Sequence, residues 1–393
     1  MAKRIRALTL CDYYLPGYKA GGLVRTVVNM VEQLNGAISF SIITRDCDLG
    51  NDTAYENVCV DQWNAVGPTR VFYLSNGWRS LLRLRYLISD TSCDVIYLNS
   101  LFSPRFTILP LLLRRLGFVP RHPFILAPRG ELSPGALAIK SAKKRLYLRT
   151  ASMIGLLRGG LWQASTKFEE EDIRRWFPNA RVQVVQDIPG KAPALLNARD
   201  TKYPGELNMV FLSRICRKKN LDGALRMLAG VRGHVRFDIY GPKEDLVYWK
   251  DCEQLIEHLP GHIEVRYRGT VSHEEVNRVF SRAHLFLFPT HGENYGHVIH
   301  ESLLAGCPVL ISDQTPWRNL RRLGIGWDLS LVHPKAFGDA LQHCVDLNEE
   351  KFLELSRAAR KYGLTSGVDD NLKKENTRLF SNAIAASAIE KRA

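Results

Sequence analysis

Two glutamates flank the start of a predicted helix, at a spacing that suits binding of a sugar or a nucleotide. Residues 288–312 are predicted to form a strand, a loop, a helix and a second strand. Glu293 lies in the loop, and Glu301 lies on an apolar face of the helix. A carboxylate there is unfavourable unless it is hydrogen-bonded, as by vicinal hydroxyls, and the free amides of a helix start can hold a phosphate. The alternative is that Glu301 pairs with an arginine inside the fold and that Glu293 is a solvated loop acid.

The second candidate site is the basic loop at residues 213–220, between a predicted strand and a predicted helix. Cations are unfavourable at the N-terminus of a helix, where the helix dipole is already positive. Arg214 and Lys219 are therefore best explained by a bound polyanion, and a diphosphate fits the span between them. The alternative is a basic loop that is simply solvated.

The third candidate site is a glycine pair, Gly21 and Gly22, that follows the first predicted strand and precedes an amphipathic helix. Glycine lets the backbone approach a phosphate closely at such a position, although many glycine pairs are only flexible turns. The chain contains neither G-x-G-x-x-G nor a P-loop sequence, which argues against a dinucleotide dehydrogenase and a P-loop NTPase.

The elements that must position these residues alternate between strands and helices, which predicts an α/β protein with two doubly wound domains. The domains are expected at residues 1–190 and 206–365, and a helical tail at 366–393 is expected to pack against the first domain. All three motifs follow strands, where open α/β sheets bind their ligands. Strands are predicted at residues 4–11, 39–44, 70–75, 93–99, 124–128, 161–165, 181–185, 208–213, 235–240, 263–267, 285–288 and 308–311.

In this order, the motifs resemble those of retaining glycosyltransferases of family 4. The resemblance covers nearly the whole chain and is strongest over residues 210–312, where Gly269-Thr270-Val271 lies between the basic loop and the glutamate pair. It implies the GT-B architecture, in which two Rossmann-like domains face each other across a cleft. It also implies metal-independent transfer of a sugar from a nucleotide-diphosphate sugar to an acceptor hydroxyl with retention, in bacterial exopolysaccharide or lipopolysaccharide assembly.

The resemblance also implies roles for individual residues. Arg214 and Lys219 would neutralise the diphosphate, Glu301 would bind the ribose, and Glu293 would bind the transferred sugar. The further donor-binding residues implied are Gly21, Gly22, Val271, Asn294, Tyr295, Gly296 and His297, whereas His300 is expected to face outward.

One position departs from the family pattern. Many relatives carry a histidine at the end of the strand predicted at residues 124–128, where this chain has Arg129. Arginine stays protonated, so Arg129 is expected to bind the donor or an acidic acceptor rather than to act as a base. Asn99 ends a neighbouring predicted strand and is expected on the acceptor side of the same site, or else to cap that strand.

The charge of the chain is unevenly distributed. The 393 residues include 54 Lys and Arg against 40 Asp and Glu, and residues 101–150 hold ten of the basic residues but only one acid. Such a concentration predicts a surface that faces an anion. The basic amphipathic stretch at residues 136–149 is expected to meet an anionic membrane or a lipid-linked or saccharide acceptor, or else to be a solvated helix. Its candidate residues are Lys140, Lys143, Lys144 and Arg145.

Two other function classes are disfavoured. A nucleic-acid-binding protein would account for the charge, but the sequence contains no RNP-like pattern, helix-turn-helix or zinc finger. A nucleotide-sugar epimerase of the same fold is disfavoured by the spacing of the two glutamates.

The cysteine and metal-ligand patterns complete the expectations. Eight cysteines without a C-x-x-C pair and the lack of a membrane-length apolar run predict a cytoplasmic protein, peripheral on the inner face of the plasma membrane. No spacing of histidines and cysteines indicates a metal ligand set, and Asp46-Cys47-Asp48 is interpreted as a plain loop.

Overall fold

The computed structural model describes residues 4–138, 141–192, 200–367 and 370–390. The chain divides into two compact units. The first comprises Met1–Ile188 and Asp370–Ala393, and the second comprises Pro189–Asp369. The first unit therefore contains both ends of the chain. Residues 200–205, which lie between the two predicted domains, belong to the second unit.

The first unit contains a mostly parallel sheet with the strand order β3-β4-β2-β1-β5-β6-β7-β8. Only the pairing of β3 with β4 is antiparallel among its described strands. The short strand β3 was not predicted from the sequence. The strands are β1 (Ile5–Cys11), β2 (Ile38–Arg45), β3 (Trp63–Val66), β4 (Thr69–Leu74), β5 (Val95–Asn99), β6 (Phe124–Ala127), β7 (Leu161–Ala164) and β8 (Arg181–Val184).

The second unit contains a parallel sheet with the strand order β11-β10-β9-β12-β13-β14. All side chains of β12 and β13 are buried, as expected for strands covered by helices on both faces. The last strand was not predicted. The strands are β9 (Glu206–Leu212), β10 (His234–Tyr240), β11 (Ile263–Gly269), β12 (Leu285–Phe288), β13 (Val309–Ser312) and β14 (Gly326–Leu329).

Helices connect most of the parallel strands, as right-handed crossovers require. The first unit holds α1 (Gly22–Leu34), α2 (Arg79–Asp90), α3 (Leu109–Arg115), α4 (Pro134–Ala138), α5 (Ser141–Met153) and α6 (Lys167–Trp176). The second unit holds α7 (Leu221–Leu228), α8 (Leu246–Glu257), α9 (His273–Arg282), α10 (His297–Leu304), α11 (Pro334–Asp346) and α12 (Glu349–Gly367). The last helix, α13 (Asp370–Glu390), belongs to the first unit, where the ring of Phe380 stacks on Tyr97 of β5.

The basic stretch at residues 136–149 is described only in part. Its described part consists of the end of α4 and most of α5, and residues 139–140 between them, including Lys140, lie outside the described residues. No helix within the described parts of the chain is long and apolar enough to cross a membrane.

Each sheet has one point at which the direction of strand addition reverses. In the first unit this point lies between β1 and β5, and in the second it lies between β9 and β12. The loops at the carboxyl ends of two such strands diverge and leave a crevice, where open α/β sheets bind ligands. The basic loop follows β9, and the loop with Glu293 follows β12.

Candidate functional site

The loop after β9 is tied to the loop after β12 by Asn220. This residue has a φ of 56°, a left-handed conformation that asparagine tolerates better than most residues. Its side-chain amide donates a hydrogen bond of 2.8 Å to the carbonyl oxygen of Pro289. A Cβ atom at position 223 would overlap the Asn220 side chain, so Gly223 is required for this arrangement. The left-handed turn directly after Lys219 fixes the end of the basic loop at the switch point.

Lys219 forms a nearly buried ion pair with Glu293. The Lys219 ammonium donates to Oε1 of Glu293, and the two side chains are only 11% and 13% exposed. The Thr290 hydroxyl donates a second hydrogen bond of 3.1 Å to the same oxygen. Burial acts to raise the pKa of Glu293, but the cations of Lys219 and Lys218 and these hydrogen bonds outweigh it and lower the pKa. Glu293 is therefore an anion held between two cations.

Lys218 is a member of this site that the sequence analysis did not assign. Its carbonyl oxygen accepts hydrogen bonds from the backbone N–H of His291 at 2.9 Å and from the Thr290 hydroxyl at 3.2 Å. Burial lowers the pKa of its ammonium, and the neighbouring cations of Lys219 and Arg214 act in the same direction. The sequence offers no signal for this position, because the surroundings of Lys218 are supplied by the loop after β12.

Arg214 lies at the more open side of the basic loop. Its guanidinium forms an ion pair of 2.7 Å with Glu244, and the two side chains are 31% and 42% exposed. Ion pairs at such exposure contribute little to stability, so a phosphate can replace the carboxylate at small cost. Arg217 is still more exposed and pairs with Asp251 at 3.1 Å. Arg214 and Lys219 thus come from one loop, but only Lys219 is enclosed.

The start of α10 is shaped by Gly296. This residue has a φ of 82°, and a Cβ atom there would lie 2.9 Å from Cδ1 of Ile299. The carbonyl oxygen of Tyr295 accepts a hydrogen bond of 2.7 Å from the Trp317 indole N–H, which holds the backbone before the helix. Tyr295 and His297 are buried with their rings 4.7 Å apart, and Asn294 is partly buried. α10 therefore begins close to Glu293, and the backbone that leads into the helix is held rigidly.

The remaining predicted residues of the second unit lie around α10. Glu301 is 23% exposed, and its carboxylate lies 3.7 Å from Nδ1 of His273 at the start of α9. Val271 lines a cavity of about 520 Å³ between α9 and the sheet. The expectation for His300 was wrong. The side chain is buried against α12, where Nε2 lies 3.0 Å from the carbonyl oxygen of Gly363, and burial lowers its pKa to about 4.

In the first unit, the glycine pair belongs to a loop organised by Asp48. Gly21 has a φ of 61° and precedes α1, which begins at Gly22. One carboxylate oxygen of Asp48 accepts hydrogen bonds from the backbone N–H groups of Tyr18 and Lys19 at 3.0 and 3.2 Å. The sequence analysis interpreted Asp46-Cys47-Asp48 as a plain loop, and these residues do lie in a loop, in which Asp48 fixes the backbone leading to the glycines.

Arg129 and Asn99 lie together inside the first unit. Arg129 has a φ of 58°, and its Nε donates a hydrogen bond of 2.8 Å to the Asn99 side chain. The same guanidinium is ion-paired with Asp187 and bonded to the Tyr97 hydroxyl. Burial acts to lower the pKa of Arg129, but Asp187 and its other anionic neighbours outweigh it and raise the pKa. Arg129 is thus a permanent cation in a buried polar network and supplies no base.

The described basic residues of α5 differ in exposure. Lys143 and Arg145 are exposed, whereas Lys144 is partly buried, donates a hydrogen bond of 2.6 Å to the carbonyl oxygen of Ala136, and lies over the Phe102 ring. Arg149 is exposed as well, and because it lies four positions after Arg145, these two arginines form the exposed basic face of the helix.

The described residues contain no group of three or more histidine, cysteine or carboxylate side chains placed to hold a metal ion. All eight cysteines have free thiols.

Comparison with known proteins identifies the class to which the second unit belongs. Residues 196–362 match the family model of glycosyl transferases group 1, and this range includes every predicted site residue from Arg214 to Glu301. A curated relative, the 2-deoxystreptamine N-acetyl-D-glucosaminyltransferase of Niallia circulans, is 28% identical over 115 residues, which cover 28% of each chain. The chain therefore carries a group 1 glycosyltransferase domain.

Solved structures extend the similarity to the whole chain. Anabaena Alr3699/HepE in complex with UDP and glucose has a TM-score of 0.70 at 14% identity, over 96% of this chain and 100% of that one. WaaG, a glycosyltransferase involved in lipopolysaccharide biosynthesis, has a TM-score of 0.66 at 13% identity, over 95% and 99%. Sucrose-phosphate synthase from Thermosynechococcus elongatus has a TM-score of 0.66 at 16% identity, over 99% and 98%. The protein thus has the GT-B fold of glycosyltransferases.

Proposed function

We propose that this protein is a hexosyltransferase that moves a sugar from a nucleotide-diphosphate sugar to an acceptor hydroxyl with retention of the anomeric configuration. The observation that carries the proposal is the enclosed Lys219–Glu293 pair at the switch point between β9 and β12. It places one cation for a phosphate and one carboxylate for sugar hydroxyls beside the N-terminus of α10. The match to group 1 glycosyltransferases over residues 196–362 and the UDP-bound structural neighbour support the same assignment.

In this proposal, three of the four cations of the basic loop stabilise the negative charge that develops during the reaction. As the bond between the sugar and the diphosphate breaks, negative charge grows on the departing phosphate oxygens. Lys219 and Lys218 stabilise that charge from the enclosed side, and Arg214 does so after exchanging Glu244 for phosphate. These cations perform the charge neutralisation that a divalent metal would otherwise supply, which is why we propose a metal-independent reaction.

In this proposal, Glu293 and Glu301 bind hydroxyl groups of the nucleotide-sugar donor. Glu293 is ionised, so it accepts hydrogen bonds from hydroxyls of the transferred sugar, while Lys219 turns toward the diphosphate. Glu301, partly exposed on α10, accepts from the ribose hydroxyls, and Val271 contacts the base. The backbone amides of Asn294 through His297 surround the sugar and the nearest phosphate.

The first unit supplies the acceptor site in this proposal. Its loop with Gly21 and Gly22, fixed by Asp48, offers backbone that suits a phosphate group, and Arg129 and Asn99 hold the site in place through their buried network. We propose a lipid-linked or saccharide acceptor in bacterial surface polysaccharide assembly. The lipopolysaccharide role of WaaG, a structural neighbour, supports this setting.

The proposed location is the cytoplasmic face of the plasma membrane, with the exposed face of α5 against anionic lipid. The exposed Arg145 and Arg149 lie on this face, four positions apart, and Leu146 and Met153 are 64% and 84% exposed beside them. Cations next to exposed apolar side chains are the composition of an interfacial helix. Co-sedimentation with anionic vesicles tests the location. Salt-sensitive binding that falls in the Arg145→Glu/Arg149→Glu variant is expected, and unchanged binding would refute it.

The activity is tested by incubating the protein with a panel of nucleotide sugars that varies base and sugar, and measuring release of nucleoside diphosphate with and without saccharide acceptors. Lys219→Ala is expected to abolish release, because it removes the enclosed cation that is proposed to stabilise the departing diphosphate. Arg217→Ala is the matched control, since it removes a neighbouring cation that is exposed and paired with Asp251. Equal activity of Lys219→Ala and Arg217→Ala would show that the enclosed pair is not the donor site.

A further inference from the structure

Two charged side chains of the first unit each have a buried atom without a hydrogen-bond partner. Within the parts of the chain that the structure describes, three charged side chains have such an atom, and two of them, Asp46 and Arg105, belong to this unit. Such atoms are unfavourable because they have lost water without gaining a partner, and they are uncommon in folded proteins. Asp46 and Arg105 therefore need an explanation that the fold alone does not supply.

The sheet brings Asp46 and Arg105 to the same edge. The strands β4, β2, β1 and β5 are neighbours in this order and run parallel, so their carboxyl ends form one row. Asp46 directly follows β2, and Arg105 lies in the helical turn at Pro104–Ile108 after β5. Burial and the cation of Arg45 lower the pKa of Arg105, and the carboxylate of Asp46 acts in the opposite direction. Asp46 and Arg105 are thus close enough to interact electrostatically.

The end of β4 fixes the guanidinium of Arg105. Its Nη1 donates a hydrogen bond of 3.1 Å to the side-chain oxygen of Asn76. Its Nη2 donates to the carbonyl oxygens of Leu74 and Ser75. These bonds use both terminal nitrogens, and Nε remains buried without an acceptor among the described residues. Arg105 is therefore a positioned donor.

Asp46 is held by its backbone rather than by its carboxylate. Its carbonyl oxygen accepts a hydrogen bond of 2.8 Å from the N–H of Tyr55. The residue is only 8% exposed, yet Oδ1 accepts no hydrogen bond from any described residue. The neighbouring Asp12, by contrast, is paired with Arg45 at 3.0 Å. Since buried carboxylates normally have a donor, Asp46 offers a positioned acceptor to a ligand.

The two atoms without a partner have opposite requirements. Oδ1 of Asp46 needs a donor, and Nε of Arg105 needs an acceptor. An anionic ligand would suit Arg105 but would be repelled by Asp46, and a cationic ligand would suit Asp46 but would be repelled by Arg105. A hydroxyl group both donates and accepts, so adjacent hydroxyls on an uncharged ring satisfy both side chains.

We propose that Asp46 and Arg105 bind hydroxyl groups of an uncharged saccharide. The inference rests on the proposed function, in which the first unit supplies the acceptor site, and it names the part of the acceptor that is recognised. It also gives a role to Asp46, the first residue of the Asp46-Cys47-Asp48 loop.

The first test measures binding of the methyl glycosides of glucose, galactose, mannose and N-acetylglucosamine by saturation-transfer NMR. It uses the Glu293→Gln variant, so that the proposed site for the transferred sugar does not contribute. At least one glycoside is expected to bind, and more tightly than the charged sugars glucuronate and glucosamine. Asp46→Asn is expected to weaken this binding about tenfold or more, because it removes a charge-assisted hydrogen bond.

Asp52→Asn is the matched control, because Asp52 lies in the same loop and is exposed. It is expected to leave glycoside binding unchanged. The urea midpoint of the first unit, followed by hydrogen exchange of peptides that cover residues 38–45, is expected not to fall in either variant. No binding of any of the four glycosides, or equal binding in Asp46→Asn and Asp52→Asn, would overturn the proposal. A lowered midpoint in Asp46→Asn would also overturn it, because the carboxylate would then serve the fold.

Transfer to the bound glycoside separates this inference from the proposed function. With the panel of nucleotide sugars, the KM for the glycoside is expected to rise about tenfold or more in Asp46→Asn and to stay unchanged in Asp52→Asn. If the unmodified protein consumes no nucleotide sugar, the proposed function fails while the binding result stands. If transfer proceeds with the same KM in both variants, this inference fails and the proposed function stands.

Discussion

Removing the ammonium of Lys219 tests whether its pairing with Glu293 is as enclosed as the structure shows. In Lys219→Met the side chain keeps most of its length, but the carboxylate of Glu293 loses its direct ionic partner. Lys218 and the Thr290 hydroxyl remain beside it.

The expected magnitude follows from the exposure of the pair. Breaking a fully buried pair by removing one partner costs about 3–5 kcal/mol, whereas an exposed pair contributes about 1 kcal/mol or less. With side chains 11% and 13% exposed and two partners left for Glu293, we expect Lys219→Met to destabilise the second unit by about 3 kcal/mol. Lys219→Met/Glu293→Gln removes both charges and is expected to cost about 1 kcal/mol, because no uncompensated charge remains.

The assay is a double-mutant cycle of urea unfolding. Hydrogen exchange of peptides that cover residues 285–305 serves as the readout, so that only the stability of the second unit is measured. Glu293→Gln keeps a hydrogen-bond acceptor beside Lys219 and is expected to cost about 1 kcal/mol on its own, so the coupling energy between the two positions is expected to be about 3 kcal/mol in magnitude. A coupling below about 0.5 kcal/mol would refute the reasoning, since that value is typical of a solvated surface pair.

Three further predictions concern other parts of the fold. Gly296→Ala is expected to destabilise the second unit by about 1–2 kcal/mol and to raise KM for the donor. Alanine is strained at a φ of 82°, and its Cβ would crowd Ile299. Urea unfolding measures the loss of stability, and titration with the donor measures the change in KM. Burial lowers the pKa of both His284 and His300 to about 4. Their contribution to stability is therefore complete above pH 6.5 and is lost as the pH falls from 6.5 to 4, by about 3 kcal/mol each. Urea midpoints of the second unit at pH 7 and pH 4.5 check the direction, and a pH-independent midpoint would contradict it. Arg129→Met is expected to destabilise the first unit by about 3 kcal/mol or more, because Asp187 is left buried without its cation, and Arg174→Met, at an exposed pair, is the control.

Local sequence patterns were sufficient to predict most of the elements that carry the candidate site. β12 coincides with the strand predicted at residues 285–288, β13 is shifted by one residue from the strand predicted at 308–311, and α10 lies between them, where a helix was predicted. Apolar runs bounded by glycine and proline mark these elements, since both faces of the sheet are buried. The short strand β14 was missed because its four residues, Gly326–Leu329, include no β-branched side chain and are ordered by pairing with β13.

The surroundings of individual side chains could not be predicted in the same way. His300 was expected to face outward, but the sequence around α10 does not reveal that α12, about 60 residues later, covers the His300 side chain. The enclosure of Lys218 and Lys219 likewise depends on Asn220, whose left-handed turn joins two loops about 70 residues apart in sequence. Asp48 was overlooked because its role is visible only once the chain brings residues 18 and 19 against it. Long-range contacts decided each of these cases.

The central claim is that the loops after β9 and β12 hold the diphosphate of a nucleotide sugar. The most direct test compares the affinity of the nucleoside diphosphate with that of the matching monophosphate by calorimetry. We predict at least a tenfold preference for the diphosphate, because the additional phosphate gains charge-assisted hydrogen bonds worth about 1.5–3 kcal/mol each. This preference is expected to fall to near unity in Lys219→Ala and in Arg214→Ala and to persist in Arg217→Ala. Equal affinity for the two nucleotides in the unmodified protein, or a preference unchanged in Lys219→Ala and Arg214→Ala, would contradict the claim.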